Sequence, residues 1–313
     1  MLDLKFMNKE CLPVLIVAHA RPKDLKLILQ SKSLMQRRIY LFVDKARSSN
    51  LRPNMEVIRI AETFKQELDL KVFVSKDNSG VGKGVPNGIR WISQYEDSFI
   101  VIEDDCHITE AGFKFLDVNS KFLSTEISMI CASSPWDVCE ESEIRKVNTL
   151  SQYPLIHGWC TNSNNWTEIS RYLDSRPSFL KCIFVSVIFP SKALPIAYFL
   201  ASVIRVNRGL VKAWDSKIAL FMLLNDKRAV IPNLTMVTNS GRDAAASNTL
   251  RIPNGSRFLR IGSNLNPSKT LISKNKEFTA TNKQVEKYIY GMKIRHLLSP
   301  FKSLLIRANY DKQ

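Results

Sequence analysis

Three consecutive carboxylates, Glu103, Asp104 and Asp105, follow directly on the apolar run Phe99 to Ile102 in "SFIVIEDDCHIT". The run has the length and composition of a buried strand, so the acids fall where that strand surfaces. Ionised carboxylates taken out of water without partners cost several kcal/mol each. A hard divalent cation, Mn2+ or Mg2+, is the economical counter-charge: it takes oxygen ligands and leaves positions for phosphate oxygens. The plainer alternative is a solvated acidic turn, and the position at the end of an apolar strand favours the metal.

Other chemistry-bearing residues give weaker patterns. The glycine-rich "DNSGVGKGV" (77 to 85) fails both phosphate-binding spacings. A Walker loop needs Ser or Thr where Gly84 stands, and the dinucleotide fingerprint needs Gly at Val85. Lys83 reads either as a phosphate contact or as a solvated lysine on a turn. His19, His107, His157 and His296 are scattered, with no nucleophile and base in a recognisable order. His107, two residues past Asp105, suits a hydrogen-bond partner better than a metal ligand. The 6 cysteines form no CxxC pair and no metal spacing, which fits reduced thiols in a cytoplasmic protein.

The elements that must position these groups alternate. "PVLIVAHA" (13 to 20), "RIYLFVDKA" (38 to 46), "LKVFVSKD" (70 to 77) and the carboxylate strand read as strands. "KDLKLILQSKSL" (23 to 34) and "NMEVIRIAETFKQEL" (54 to 68) have helical spacing, and "NSGVGKGVPNG" (78 to 88) reads as a loop before "IRWISQYE". Strand, loop and helix in alternation predict an α/β protein with a parallel sheet and crossover helices. Ligands of such sheets bind at the carboxyl ends of the strands. His19, Arg21, Asp44, Asn78 and the acidic triplet all fall there. Beyond Thr109 the expectation is a helix over 112–123, a strand over 127–134, and a loop opening a helix over 153–166.

With 313 residues, 45% hydrophobic and 24% charged, the chain has the make-up of a soluble protein with a sizeable core. "LPVLIVAHA" (12 to 20) imitates a signal peptide, but Asp3 and Glu10 precede it, and it reads as the first strand. The most apolar stretch, 182–206, is broken by Pro190, Lys192 and Pro195 into pieces too short to span a bilayer. Two packed helices or a helical hairpin are expected, with a membrane-resting hairpin as the other reading. The net charge of +16 is concentrated late: residues 251–313 hold thirteen Lys or Arg against three acids. Nucleic-acid modules are absent, which leaves an anionic membrane surface or a phosphate-bearing substrate.

The segments "LPVLIVAHARPKDL", "FVDKA", "DNSGVGKGVPNGIRWI", "IVIEDDCHIT", "YPLIHGWCTNSNNW", "AWDSKIAL" and "PNLTMVTNSGRDAAASNT", in this order, resemble a bacterial family of GT-A-fold glycosyltransferases from polysaccharide and O-antigen clusters. That family is distantly similar to the animal N-acetylglucosaminyltransferase that begins complex N-glycans. The resemblance covers about residues 12–250, so the chain divides into a GT-A domain, 1–250, and a basic, partly helical extension, 251–313.

The resemblance implies a mixed central sheet flanked by helices and a hexosyl or N-acetylhexosaminyl transfer, inverting, from a nucleotide-diphosphate sugar, a UDP-sugar by preference. The acceptor would be a glycan or lipid-linked saccharide in surface polysaccharide or lipopolysaccharide assembly. It carries Asp105 over as the Mn2+ ligand, Glu103 and Asp104 toward ribose and donor sugar, and Ala18 to Arg21 with Asp44 around the base and ribose. Asp215 becomes the catalytic base, with a helix N-cap as its plainer role. His157, Gly158, Trp159 and Trp214 would shape the donor or acceptor pocket, an aromatic face stacking on sugar, or else the tryptophans are core residues. Arg242 would touch phosphate. The runner-up activity is a nucleotidyltransferase, although "AHARPKD" lacks the glycine-rich signature expected near the first strand; a non-catalytic nucleotide-sugar-binding scaffold is the alternative outside enzymes.

In the tail, Val285, Ile289, Met292, Leu297, Phe301 and Leu304 can share one helical stripe while Lys287, Lys293, Arg295, Lys302 and Arg307 lie elsewhere. That pattern suits a helix on the anionic inner face of the cytoplasmic membrane, or one docked on the core.

Overall fold

The computed structural model describes residues 11–134, 148–209, 214–232 and 235–240. Arg242, Cys139 and the basic extension, with the membrane-helix expectation placed on it, lie outside the described residues.

The first half is built on four parallel strands, β1 (Val14–Ala18), β2 (Ile39–Val43), β3 (Leu70–Val74) and β4 (Ser98–Glu103), in the spatial order β3-β2-β1-β4. β1 and β2 are buried along their whole length, as continuous apolar strands covered on both faces must be. Alternate residues serve opposite layers. Val14 and Ile16 pack with α1 (Pro22–Leu29) and α2 (Leu51–Phe64) on one face. Leu15 and Val17 pack with α3 (Val81–Ile92) on the other.

Beyond β4 the sheet becomes mixed. The order continues through β8 (Trp159–Asn162), β6 (Ile127–Cys131), β9 (Arg228–Ile231) and β7 (Thr149–Ser151), with β8 and β7 antiparallel to their neighbours. A separate ribbon pairs β5 (Cys106–Ile108) with β10 (Val237–Asn239). Helix α4 (Glu110–Asn119) covers the first face, and α5 (Ser163–Asp174) with α8 (Asp215–Leu224) covers the second. This is the α/β architecture expected, a mixed sheet between helical layers.

Two expectations are corrected. The glycine-rich stretch is not a loop through 88, because α3 begins at Val81 and carries Lys83, Gly84, Pro86 and Gly88 as helical residues. Burial of Val85, Ile89 and Ile92 against the sheet outweighs the poor helix propensity of glycine. Gly88 is useful there, since a β-carbon would sit 3.2 Å from the Phe42 and Val17 side chains. The stretch 153–166 does not run from loop directly into helix; the short β8, at the centre of the sheet, intervenes. Four residues ending in Thr161 and Asn162 are too few to display a strand period.

The 182–206 segment forms the expected hairpin, α6 (Phe179–Ile188) and α7 (Pro190–Asn207), packed on α8 through Cys182, Val185, Ile196, Phe199 and Val203.

One buried ion pair fastens the entrance to the sheet. The Arg37 guanidinium donates to Asp117 Oδ1 (2.7 Å), the Leu12 carbonyl (3.0 Å) and the Ser33 carbonyl (2.8 Å), while the Leu12 N–H donates to Asp117 Oδ1 (2.9 Å). Removing one partner strands the other charge. Arg37→Leu is therefore expected to lower stability by about 3–5 kcal/mol in urea unfolding; a loss below about 1 kcal/mol would show that Asp117 remains hydrated without it.

Candidate active site

Because β3, β2, β1 and β4 are parallel neighbours, their carboxyl ends share one edge of the sheet. Ala18 is still inside the sheet: it is buried and its carbonyl accepts the Asp44 N–H at 2.9 Å. The rim starts at His19. The His19 N–H donates to Asp104 Oδ2 at 2.8 Å, tying the end of β1 to the acidic turn after β4. Nδ1 of His19 lies 3.0 Å from the Asp44 carbonyl. Arg21 precedes α1 and pairs with Asp24 at 3.5 Å.

Asp44 is tied to the backbone at the rim. It is buried, and its carboxylate accepts from the Ser79 N–H (2.9 Å), the Gly80 N–H (2.8 Å) and the Ser75 hydroxyl (3.2 Å). It holds the turn that opens α3. That turn needs Gly80, whose φ is +67. Asn78 braces the neighbouring loop, accepting from Arg47 Nε at 3.1 Å and donating to the Lys45 carbonyl. Lys83 is exposed on the first turn of α3.

The acids occupy the end of β4 and the tight turn into β5. Glu103 is the last residue of β4, Asp104 is buried, and Asp105 is partly buried. Burial pushes Glu103 up to about 8, reinforced by the charges of Asp105, Asp104 and Asp215. Asp104 is pushed up to about 7, mainly by burial, against the opposing pull of the His19 N–H and the nearby Arg21. The Asp105 carbonyl accepts the Ser240 N–H at 2.8 Å, and its Oδ1 lies 3.3 Å from both Cys106 Sγ and Asn239 Nδ2. Asn239 Nδ2 also lies 3.2 Å from Nδ1 of the exposed His157.

Asp215 stands in the first turn of α8, with Trp214 rather than itself at the cap position. Its Oδ1 accepts the Ser216 N–H at 2.9 Å. The Asp215 charge adds the smallest of the contributions that raise Glu103.

The tryptophans do not face a pocket. Trp159 and Trp214 are buried with Trp166, ring centroids 6.4–6.5 Å apart, in the layer between the sheet and α5 and α8. Neither indole offers a face to a sugar; together they fix where α8 starts. Gly158 is required by geometry: its φ is +70 and a β-carbon would lie 2.8 Å from Ile108 Cδ1.

Several site residues escaped the sequence reading. Asn54, buried on α2, donates to the His19 and Asp44 carbonyls and so joins two strand ends. Asp24 accepts from the Ser240 hydroxyl at 3.1 Å and lies 3.6 Å from His107 Nε2, which takes His107 away from Asp105 as a partner. Asn239 was within a quoted segment but carried no spacing signal.

The donor set suits a hard cation. Oxygen ligands predominate, and burial, reinforced by the neighbouring negative charges, raises Glu103 and Asp104, a cost that a divalent ion would offset. Among the described residues no three His, Cys, Asp or Glu side chains converge as a ready-made cage, so Asp105 would hold the ion together with oxygens from a ligand.

No family model matches the chain, and no curated protein matches it by sequence. Solved structures match at low similarity. A mannosyltransferase from Pyrobaculum calidifontis, in complex with GDP-Man and Mn2+, aligns with TM-score 0.36 and 12% identity over 53% of this chain and 48% of that one. The alignment thus spans about half of the mannosyltransferase. A putative glucose-1-phosphate thymidylyltransferase from Bacillus anthracis aligns with TM-score 0.31 and 10% identity over 53% and 76%. HddC from Yersinia pseudotuberculosis aligns with TM-score 0.30 and 10% identity over 48% and 77%.

The raised acids make stability depend on pH in a defined direction. In cation-free protein Glu103 and Asp104 keep protons that the unfolded chain releases near its ordinary values of 4.5 and 3.8, so stability is fully present below that range. It falls as pH rises toward about 8. Urea unfolding in EDTA should show a loss of several kcal/mol between these limits, at about 1.4 kcal/mol for each pH unit by which a carboxyl's titration is displaced. Glu103→Gln, which mimics the protonated form, should flatten the upper part of the curve; an unaltered slope in that variant would refute the assignment.

Proposed function

We propose that the chain is a metal-dependent glycosyltransferase that moves a hexosyl or N-acetylhexosaminyl group from a nucleotide-diphosphate sugar, a UDP-sugar in the first instance, to a glycan or lipid-linked acceptor. The observation that carries the reading is the acidic turn at the carboxyl end of β4, where burial and neighbouring charges raise Glu103 and Asp104. The resemblance to the polysaccharide and O-antigen family, with its distant likeness to the animal N-acetylglucosaminyltransferase, supports the same assignment.

In this reading Asp105 holds Mn2+ or Mg2+ together with diphosphate oxygens, and the ion supplies charge neutralisation for the departing nucleoside diphosphate. His19 and Arg21 border the nucleotide, Lys83 and Arg242 are available to phosphate, and Asn78 shapes the neighbouring rim. Glu103 and Asp104 lie toward ribose and sugar. Asp215 accepts the acceptor hydroxyl proton as that oxygen attacks the anomeric carbon and the bond to the diphosphate breaks, with inversion. His157, exposed beside Asn239, is available to the donor or acceptor sugar.

The wild-type melting temperature should rise with UDP plus Mn2+ and much less with either alone, because a ligand bound only to the folded state stabilises it. Asp105→Ala should lose the metal-dependent part of that shift. Asp215→Asn should keep it while slowing transfer, and the leak of sugar to water, by roughly 10²–10⁴-fold. Donor hydrolysis distinguishes a transferase from a scaffold, and pyrophosphate release from a nucleoside triphosphate with sugar 1-phosphate would point instead to a nucleotidyltransferase. Retention of the full Mn2+-dependent shift in Asp105→Ala would sink the metal assignment.

A further inference from the structure

The hairpin α6–α7 keeps far more apolar surface in water than its packing requires. On α6, Leu180, Ile183, Phe184, Val187 and Ile188 are exposed at helical spacing i, i+3, i+4, i+7, i+8, with Leu180 at 81% and Val187 at 72%. Phe179 extends the patch at the start of α6, and Phe189 and Leu194 extend it around the turn. The opposite side of α6 is already committed to the core through Cys182 and Val185. A contiguous apolar face of this kind marks an interaction surface.

Charge identifies its occupant. From Ser175 to Trp214 the sequence contains six Lys or Arg and no Asp or Glu. Asp226, the acid nearest the hairpin tip, is taken by Lys192 (2.9 Å) and Arg228 (3.2 Å). A two-fold dimer through this face would set the same cations against each other. The chain's own extension, with thirteen Lys or Arg against three acids, would be repelled in the same way. An anionic bilayer complements both features, since phosphate headgroups meet Lys181, Arg205 and Arg208 while the apolar stripe enters the acyl boundary. Among the described residues no helix is long and apolar enough to cross a membrane, so the contact is interfacial.

We infer that the α6–α7 hairpin is a membrane-docking element that lays the exposed face of α6 into the surface of an anionic lipid bilayer. The inference stands apart from the transferase reading, and its test uses neither nucleotide nor metal. Full-length protein is floated with vesicles of phosphatidylcholine alone or mixed with phosphatidylglycerol. Binding is expected to the mixed vesicles, with weakening in high salt as the headgroup charge is screened. The triple variant Leu180→Glu, Phe184→Glu, Val187→Glu should reduce the vesicle-bound fraction about tenfold or more, with unchanged circular dichroism because the three side chains already face water. The single change Phe184→Ser should give a smaller loss in the same direction and serves if the triple variant folds poorly. Equal flotation of wild type and variants would overturn the inference by locating the contact elsewhere. A vesicle-indifferent wild type that sediments as a dimer, and as a monomer once the face is charged, would overturn it in favour of a second copy.

Discussion

Like charges held together by a rigid backbone are the constraint on which this protein turns. Glu103, Asp104 and Asp105 occupy adjacent positions where a central strand ends, and burial leaves them little water with which to disperse their repulsion. They stay there because the strand behind them is anchored by Phe99, Ile100, Val101 and Ile102, each at most 1% exposed. The His19 N–H on Asp104 and the Asn54 amide across the His19 and Asp44 carbonyls then hold the neighbouring strand ends in register. Hydrophobic burial in the sheet thus sustains an electrostatic imbalance at its edge, one that a nearby positive charge would relieve.

Residues that look functional in the sequence turn out to divide into two kinds. Asp104, Asp105, Asp215, His19 and His157 reach the rim or the turn. Asp44, Trp159 and Trp214 work from behind it. Asp44 spends its carboxylate on the backbone that opens α3, and the tryptophans spend their faces on one another. This second group still determines the geometry of the first, since the packed indoles decide where α8 begins and therefore where Asp215 stands.

Helix α8 links the two surfaces described above. Its first turn carries Asp215, while Asn225 and Asp226, just past its end, bond to Lys181 and Lys192 of the hairpin. Ten residues at 1.5 Å per residue separate the rim from the hairpin tip by about 15 Å.

The sequence by itself determined the parallel half of the sheet, because β1, β2 and β4 are long apolar runs whose composition permits little else, and it marked the strand-end acids for the same reason. The hairpin was also legible, from Pro190, which cuts one apolar stretch into two helices, while Pro195 lies inside α7. Local pattern could not reveal that β8 enters antiparallel at the centre of the sheet, since its four residues owe their place to neighbours contributed by distant segments. Nor could it separate Asp44 as a structural anchor from Asp105 as a rim acid, both being aspartates just past apolar strands. That distinction depends on which backbone N–H groups the folded chain brings within hydrogen-bond distance, and only the tertiary structure decides it.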